Sequence, residues 1–206
     1  MIKDNRINAI LDFIPSNKVI LDIGCAQNPE IHLEIAKKSK KTVGIDLNKK
    51  GINDLKKKGL EAYEMSAEEI NLKYKFDYII AGELIEHLNN PGLFIEGMIK
   101  HLKPDGKIIM TTPNISSILL YTLIVLFDKT QDPTHIFYFD KKNLEAFVSR
   151  YNLKIKITKY IPPEIKFLGD SILFKIIFFI STLIANIGFK INNRLFGSYL
   201  LVVLEK

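Results

Sequence analysis

Val19-Ile-Leu-Asp-Ile-Gly-Cys-Ala-Gln-Asn-Pro29 and, a little further on, Val43-Gly-Ile-Asp-Leu-Asn48 decide the fold of this chain. Each starts as a short apolar run and ends on an aspartate, Asp22 or Asp46, next to turn-forming residues. Runs of this length bounded by turn signals read as buried strands. Gly24 lets the backbone turn out of the first strand and come close to a ligand with no Cβ in the way. Pro29 suits the start of a helix. An acidic group about 20 residues beyond such a turn is where a Rossmann-type site grips ribose hydroxyls. Either half alone is a weak signal. On adjacent strands they read together as a nucleoside site.

Outward from these strands, the pattern predicts strands at 18–23 and 42–46 with a helix at 30–38 between them. A helix at 49–58 is stopped by Gly59, and strands follow at 60–65 and 76–81. A helix runs from Pro91 to 102, and Pro104, Asp105 and Gly106 turn the chain into a strand at 107–112. This βαβα rhythm predicts a doubly wound parallel sheet with helices on both faces. The last third differs. Residues 115–127 are apolar and uncharged, 140–151 form an amphipathic helix and 153–161 a strand. Residues 171–189 are strongly apolar with Lys175 as their only charge, and 198–205 form a final strand. There is no internal repeat.

At 206 residues the chain suits one domain, expected to span 1–206. Hydrophobic residues make up 47% and charged residues 25%, which excludes a disordered chain. The net charge of +6 permits an anionic partner. Its lysines cluster as Lys37, Lys38, Lys40, Lys41 and Lys56, Lys57, Lys58, which read as solvated helix faces with few aromatics among them. A stacking groove for nucleic acid is therefore not indicated. Cys25 is the sole cysteine, so a reducing, cytoplasmic home is expected, and the charged N-terminus lacks the apolar core of an export signal.

Charge narrows the choice of nucleoside. A dinucleotide site needs Gly-x-Gly-x-x-Gly, but Gly24-Cys-Ala-Gln-Asn-Pro29 lacks the second and third glycines. Asp22 would also repel a pyrophosphate, and it suits the cationic end of an amino-acid-bearing nucleoside. NAD is disfavoured.

The motifs then become specific. Leu21-Asp-Ile-Gly-Cys25 resembles motif I of class I S-adenosylmethionine-dependent methyltransferases, and Gly44-Ile-Asp46 resembles their second-strand acidic motif. Ser66-Ala-Glu68 is similar to the adenine-contacting segment. Phe76-Asp-Tyr-Ile-Ile-Ala-Gly-Glu-Leu-Ile-Glu-His-Leu88 resembles motif IV of the ubiquinone/biotin-type (type 11/23-like) branch. Leu102-Lys-Pro-Asp-Gly-Lys-Ile-Ile-Met-Thr-Thr-Pro-Asn114 resembles its fifth-strand signature. The resemblance implies a Rossmann-like, mostly parallel seven-stranded sheet with an antiparallel last strand, and S-adenosyl-L-methionine as cofactor. It implies cofactor contacts at Asp22, Gly24 and Cys25, at Asp46 and Leu47, at Ala67 and Glu68, and at Ala81 and Glu83. Cys25 itself reads as a packed residue of the turn rather than a nucleophile.

Two histidines are the candidate catalytic groups. His87 lies in Glu83-Leu-Ile-Glu-His87, and His135 in Asp132-Pro-Thr-His-Ile-Phe137, a loop that in related enzymes returns over the active site. Either suits a general base for a hydroxyl or ammonium acceptor. A helix after the fourth strand would bring Glu83 beside Glu86 and His87, and with His135 these four are candidate ligands for a divalent cation, though no metal is expected.

The apolar stretches, within insertions 115–139 and 162–197, are expected to bind the acceptor. They read as a lid over a lipophilic acceptor, as a helix in the membrane interface near Lys166, Lys190 and Arg194, or as plain core. The expectation is a transferase that methylates oxygen, nitrogen or carbon of a small apolar acceptor. The alternatives are a metal-assisted RNA 2′-O-methyltransferase and a non-catalytic nucleoside-binding protein. Ala26 and Asn28, at small or glycine positions of motif I, point to the latter.

Overall fold

In the computed structural model, which describes residues 5–118, 120–121, 132–163 and 172–206, seven strands build one sheet. They are β1 (Val19–Ile23), β2 (Lys41–Asp46), β3 (Glu61–Glu64), β4 (Phe76–Gly82), β5 (Leu102–Pro113), β6 (Lys154–Ile161) and β7 (Tyr199–Glu205). The order is β3-β2-β1-β4-β5-β7-β6. β1 pairs in parallel with both β2 and β4, and the parallel set runs from β3 to β5. β7 lies antiparallel between β5 and β6. This is the mixed, Rossmann-like sheet that the motifs implied, and its strand order reverses direction at β1 and β4.

The strands alternate their buried side chains between two faces, because neighbouring residues of a strand point to opposite sides. Ile20, Ile80, Ile109, Leu201 and Val203 pack against Ala9, Ile10 and Ile35 of α1 (Asn5–Leu11) and α2 (Pro29–Lys38). Leu21, Val43, Ile79, Ile108 and Val202 face the other way. They meet Phe94, Ile95 and Met98 of α4 (Pro91–His101), and Leu144 and Val148 of α5 (Lys141–Ser149). α3 (Lys49–Lys57) covers the β2 side with Ile52 and Leu55, against Cys25 and Ala26. Buried on both faces, the central strands read as continuous apolar runs.

Helix ends follow local chemistry. Asn48 and Asn90 accept the N–H of Gly51 and Leu93 at 3.1 and 3.2 Å, and Asp140 with Asn143 forms a reciprocal cap on α5. The Pro104-Asp105-Gly106 turn sits inside β5 instead of before it. Phe76 is opposite Leu102 and Tyr78 opposite Lys107, so residues 103–106 bulge out of the strand.

The apolar stretch after β6 forms α6 (Ile172–Ile191), followed by the short α7 (Asn193–Phe196). Among the described residues no helix is long and apolar enough to cross a membrane. Of the stretch 115–127, residues 119 and 122–127 lie outside the described residues, as does Lys166.

Gly44 marks the closest approach between β1, β2 and α2. A Cβ there would lie 2.5 Å from Cys25 Sγ and 2.9 Å from His32 Cε1. Gly44→Ala should therefore lower stability by about 1–3 kcal/mol, read from urea unfolding. An unchanged midpoint would mean that the two strands are packed more loosely than described.

Candidate active site

At the reversal of strand order, the carboxyl ends of β1 and β4 diverge over a cavity of about 350 Å³. Its lining includes Asp22, Gly24, Glu83, His87 and His135 from the sequence-predicted set, together with Arg6, Thr111 and Asp132. Gly24 opens the floor. Its φ of +82° is a conformation that favours glycine, and a Cβ there would meet only Leu84 Cδ1, at 3.9 Å. Its N–H donates to Ile45 O at 2.8 Å, which ties the turn to β2.

Asp22 is buried at 5% exposure, with its Oδ2 2.8 Å from Nδ1 of the fully buried His32 on α2. Burial pushes the Asp22 carboxyl upward, against the pull of His32, and Asp46 pushes it further up. His32 is invisible to sequence reasoning: it is one histidine on a helix face, with no spacing that relates it to Asp22. Arg6 is the other residue the sequence did not reveal. It reaches across from α1, with Nη1 3.6 Å from Glu83 Oε2 and its guanidinium 4.9 Å from the Tyr199 ring centroid. The cavity thus carries a carboxylate, Asp22, on its floor and a guanidinium at its wall.

Beyond β4 the chain does not form the helix expected at 83–87. Glu83 adopts φ +52° and only Ile85–His87 makes a single 3₁₀ turn. Glu83 therefore does not share a face with Glu86 and His87, and its carboxylate lies near Arg6. Among the described residues, ligand atoms of Glu86, His87 and His135 lie within 4.8 Å of one another, and Glu83 is not in that group. The four-ligand set is corrected to three.

The loop from Asp132 is held onto this turn by backbone. Ile136 and Phe137 N–H both donate to Glu86 O, at 2.8 and 3.2 Å. The two imidazoles then meet edge to face, with ring centroids 4.6 Å apart. Thr134 Oγ1 donates to Asp132 Oδ1 at 2.6 Å and lies 2.8 Å from His87 Nδ1. Because its one proton is directed at Asp132, the hydroxyl accepts from His87 Nδ1–H, which leaves His87 Nε2 as the basic nitrogen. Bonds from Thr134 hold the Asp132 carboxyl below its ordinary range, so this chain starts at an ionised group. Burial and the neighbouring His87 push His135 down, which favours its neutral form.

Glu86 is wholly buried. One oxygen accepts from Thr112 Oγ1 at 3.1 Å, while Oε1 has no hydrogen-bond partner among the described residues. Burial first, then the Glu83 charge, pushes its carboxyl up to about 8.

The other predicted contacts lie beside the cavity. Asp46 Oδ2 accepts from Ala26 N at 2.8 Å and Oδ1 from Asn48 N at 2.7 Å, so the carboxylate closes the turn after β1 onto the tip of β2. Leu47, next to it, is 72% exposed. Ala67 is buried, and Glu68 Oε1 accepts from Asn90 N at 2.6 Å. Ala81 is buried in β4. The Cys25 side chain is buried against β2 and does not line the cavity, as its reading as a packed turn residue expects. Burial and the charges of Asp22 and Asp46 push its thiol upward, away from the reactive thiolate.

A glycine turn, a strand-tip acid on the neighbouring strand and a cavity at the switch point define a nucleoside-binding α/β protein of the Rossmann-like class. The methyltransferase domain family matches residues 3–156, and the chain belongs to it. The ubiquinone biosynthesis O-methyltransferase of Rickettsia typhi is 33% identical over 104 residues, covering 46% of this chain and 41% of that protein. The Rickettsia prowazekii protein of the same name is 31% identical over 121 residues, covering 53% and 48%. The chain spans about half the length of the curated relatives it matches. A SAM dependent methyltransferase from Archaeoglobus fulgidus shares the fold with a TM-score of 0.64 at 23% identity, over 98% of this chain and 91% of that one.

The buried carboxyl gives a pH test. A free glutamate loses its proton near 4.5, whereas Glu86 in the fold holds it up to about 8. Between these values the folded state binds the proton more tightly, so this group's contribution to stability is lost as pH rises. Glu86→Gln stays neutral throughout. Its stability relative to the natural protein should climb across that interval, measured by urea unfolding without added divalent cations. A difference independent of pH would show that Glu86 titrates normally.

Proposed function

We propose that this protein transfers a methyl group from S-adenosylmethionine to an oxygen, nitrogen or carbon of a small lipophilic acceptor. The observation that carries the reading is the pairing, in one cavity, of the Asp22 carboxylate and the Arg6 guanidinium at one end with the His87 and His135 imidazoles. An amino acid has an ammonium and a carboxylate to place, and the two charged groups complement them. The residues also fit the rest of the cofactor. Gly24 leaves open floor where a side chain would stand, and the exposed Leu47 beside Asp46 offers an apolar surface to a base. Ala67 and Glu68 would border that base, and Ala81 and Glu83 would flank the cofactor from β4. Asp46 keeps lone pairs for ribose hydroxyls besides the two N–H groups it accepts.

The bound cofactor supplies a methyl on a sulfonium, already activated for transfer. What remains for the protein is alignment, exclusion of water and, for a hydroxyl or ammonium acceptor, removal of a proton. His87 Nε2 takes that proton, with its ring fixed through Thr134 and Asp132. His135, neutral and packed on its edge, either shares that task or positions the acceptor. Glu86, His87 and His135 fit a divalent cation as a trio, but this reading routes no step through one. The names of the relatives, which act in ubiquinone biosynthesis, support a lipophilic acceptor. Residues 115–139 and 162–197 are the acceptor-binding elements of a single domain, 1–206. A cytoplasmic location at the membrane surface would bring such an acceptor within reach.

Three outcomes test this. Asp46→Ala should weaken S-adenosylmethionine binding by about 1–3 kcal/mol in calorimetric titration, through loss of charge-assisted ribose bonds. Unchanged affinity would remove Asp46 from the site. His87→Ala and His135→Ala should each slow turnover about 10²-fold or more while nearly preserving cofactor affinity. A fully active variant would exclude its histidine as the base. Turnover should survive chelation, and its loss on chelation with recovery on adding back a divalent cation would transfer the trio to metal binding.

A further inference from the structure

We infer that α6, together with the cationic recess at its C-terminal end, docks this protein onto an anionic lipid bilayer. The inference rests on the proposed lipophilic acceptor only for its purpose, and its geometry stands apart from the cavity. Phe179, Ile180, Leu183, Ile184, Ile187 and Ile191 are 48% to 83% exposed. At 100° per residue they fall within about 140° of one another around the helix, one continuous apolar face. Ala185 and Gly188 lie on the opposite side and are buried, and the Phe196 ring occupies the space above Gly188. Among the described side chains of the helix, Ala185 and Gly188 are buried, Phe189 is half-buried near Gly197, and the large aliphatic residues point outward. A core helix has the reverse arrangement.

Charge identifies what covers this face. From Ser171 to Leu204 the sequence contains no aspartate or glutamate, while Lys190 and Arg194 stand at the end of the apolar face. Beside them opens a recess of about 480 Å³, lined by Lys141, Lys142 and Arg194 with Glu145 as the one acid among the lining residues. Arg194 lies 4.0 Å from Asp140, and its side chain, 48% exposed, lines the recess. Thr158, Tyr160 and Asn193 add neutral donors. Amines and a guanidinium with hydroxyls suit a phosphate diester, and the adjoining apolar face suits acyl chains. A second copy of the chain is a poor occupant, because an isologous contact brings the same acid-free segment, Ser171 to Leu204, against itself and offers these cations no partner. A bilayer carrying negative headgroups satisfies both features at once.

The test is co-sedimentation of the full chain with phosphatidylcholine vesicles, with and without phosphatidylglycerol. Binding should require the anionic lipid and fall as salt rises. Lys142→Glu with Arg194→Glu should weaken it about tenfold or more, as should Ile184→Asp with Ile187→Asp. Each variant should still bind S-adenosylmethionine in calorimetric titration, which shows that it is folded. Equal partition into both kinds of vesicle, or folded variants that bind like the natural protein, would overturn the inference. So would a dimer in size-exclusion chromatography that is lost in the Ile184→Asp, Ile187→Asp variant while vesicles are ignored. A natural chain that binds anionic vesicles but no S-adenosylmethionine would instead sink the proposed function and leave the docking surface standing.

Discussion

The carboxylate of Asp46 holds two backbone N–H groups, one from the turn after β1 and one from the turn after β2. Everything at the site depends on that double grip. Parallel strands deliver their carboxyl ends to one edge of the sheet, but the loops that leave them diverge, since α2 and α3 pack differently. Asp46 draws the Ala26 turn back towards β2, and the Gly24 N–H bond to Ile45 O does the same one residue after Ile23. With the loop pinned there, Gly24 can hold its positive φ and leave the cavity floor open. Ala26 and Asn28, which depart from the small residues of motif I, are accommodated by this clasp: Ala26 contributes the N–H, and Asn28 lies at the cavity lining.

The sheet was legible in the sequence because its signals are local. Apolar runs, strand-end acids and turn glycines sit within a few residues of one another, and the two central strands came out within a residue of their observed ends. The antiparallel β7 was available only through the family resemblance, since no local feature of Tyr199–Glu205 encodes its partner strands. The site was readable to the same degree. Asp22, Gly24, His87 and His135 converge on one cavity, yet Arg6 and His32 were missed because each acts on residues of another element. The expected helix at 83–87 failed for a conformational reason. Helical spacing of Glu83, Glu86 and His87 is a statement about sequence, and the left-handed Glu83 breaks the register before the turn begins.

That break has a chemical consequence. Had Glu83 continued a helix, its carboxylate would have joined Glu86 and the imidazoles, a cluster with enough negative charge to demand a cation. Instead it lies by Arg6, and Glu86, wholly buried with a bond from Thr112, keeps its proton through burial and the nearby Glu83 charge. The imidazoles then face a largely neutral carboxyl and not an ion pair. A protonated carboxyl does not ligate a cation as a carboxylate does, so metal binding by this trio would have to displace that proton.

The two faces of the molecule carry opposite solutions to exposure. At the cavity and beside it, polar groups are constrained: Asp22 by His32, His87 by Thr134, Asp46 by two amides. On α6, among the described side chains, large apolar groups are exposed while Ala185 and Gly188 are buried. Turning the large residues inward would have stabilised the helix at about 25 cal/mol for each Å² removed from water. A fold that forgoes that gain along the described face of α6, and places no acid in the sequence from Ser171 to Leu204, is shaped for a surface that completes the burial. An acceptor that partitions into lipid would be concentrated in the same layer, so the helix that finds the layer and the cavity that uses the acceptor serve one reaction.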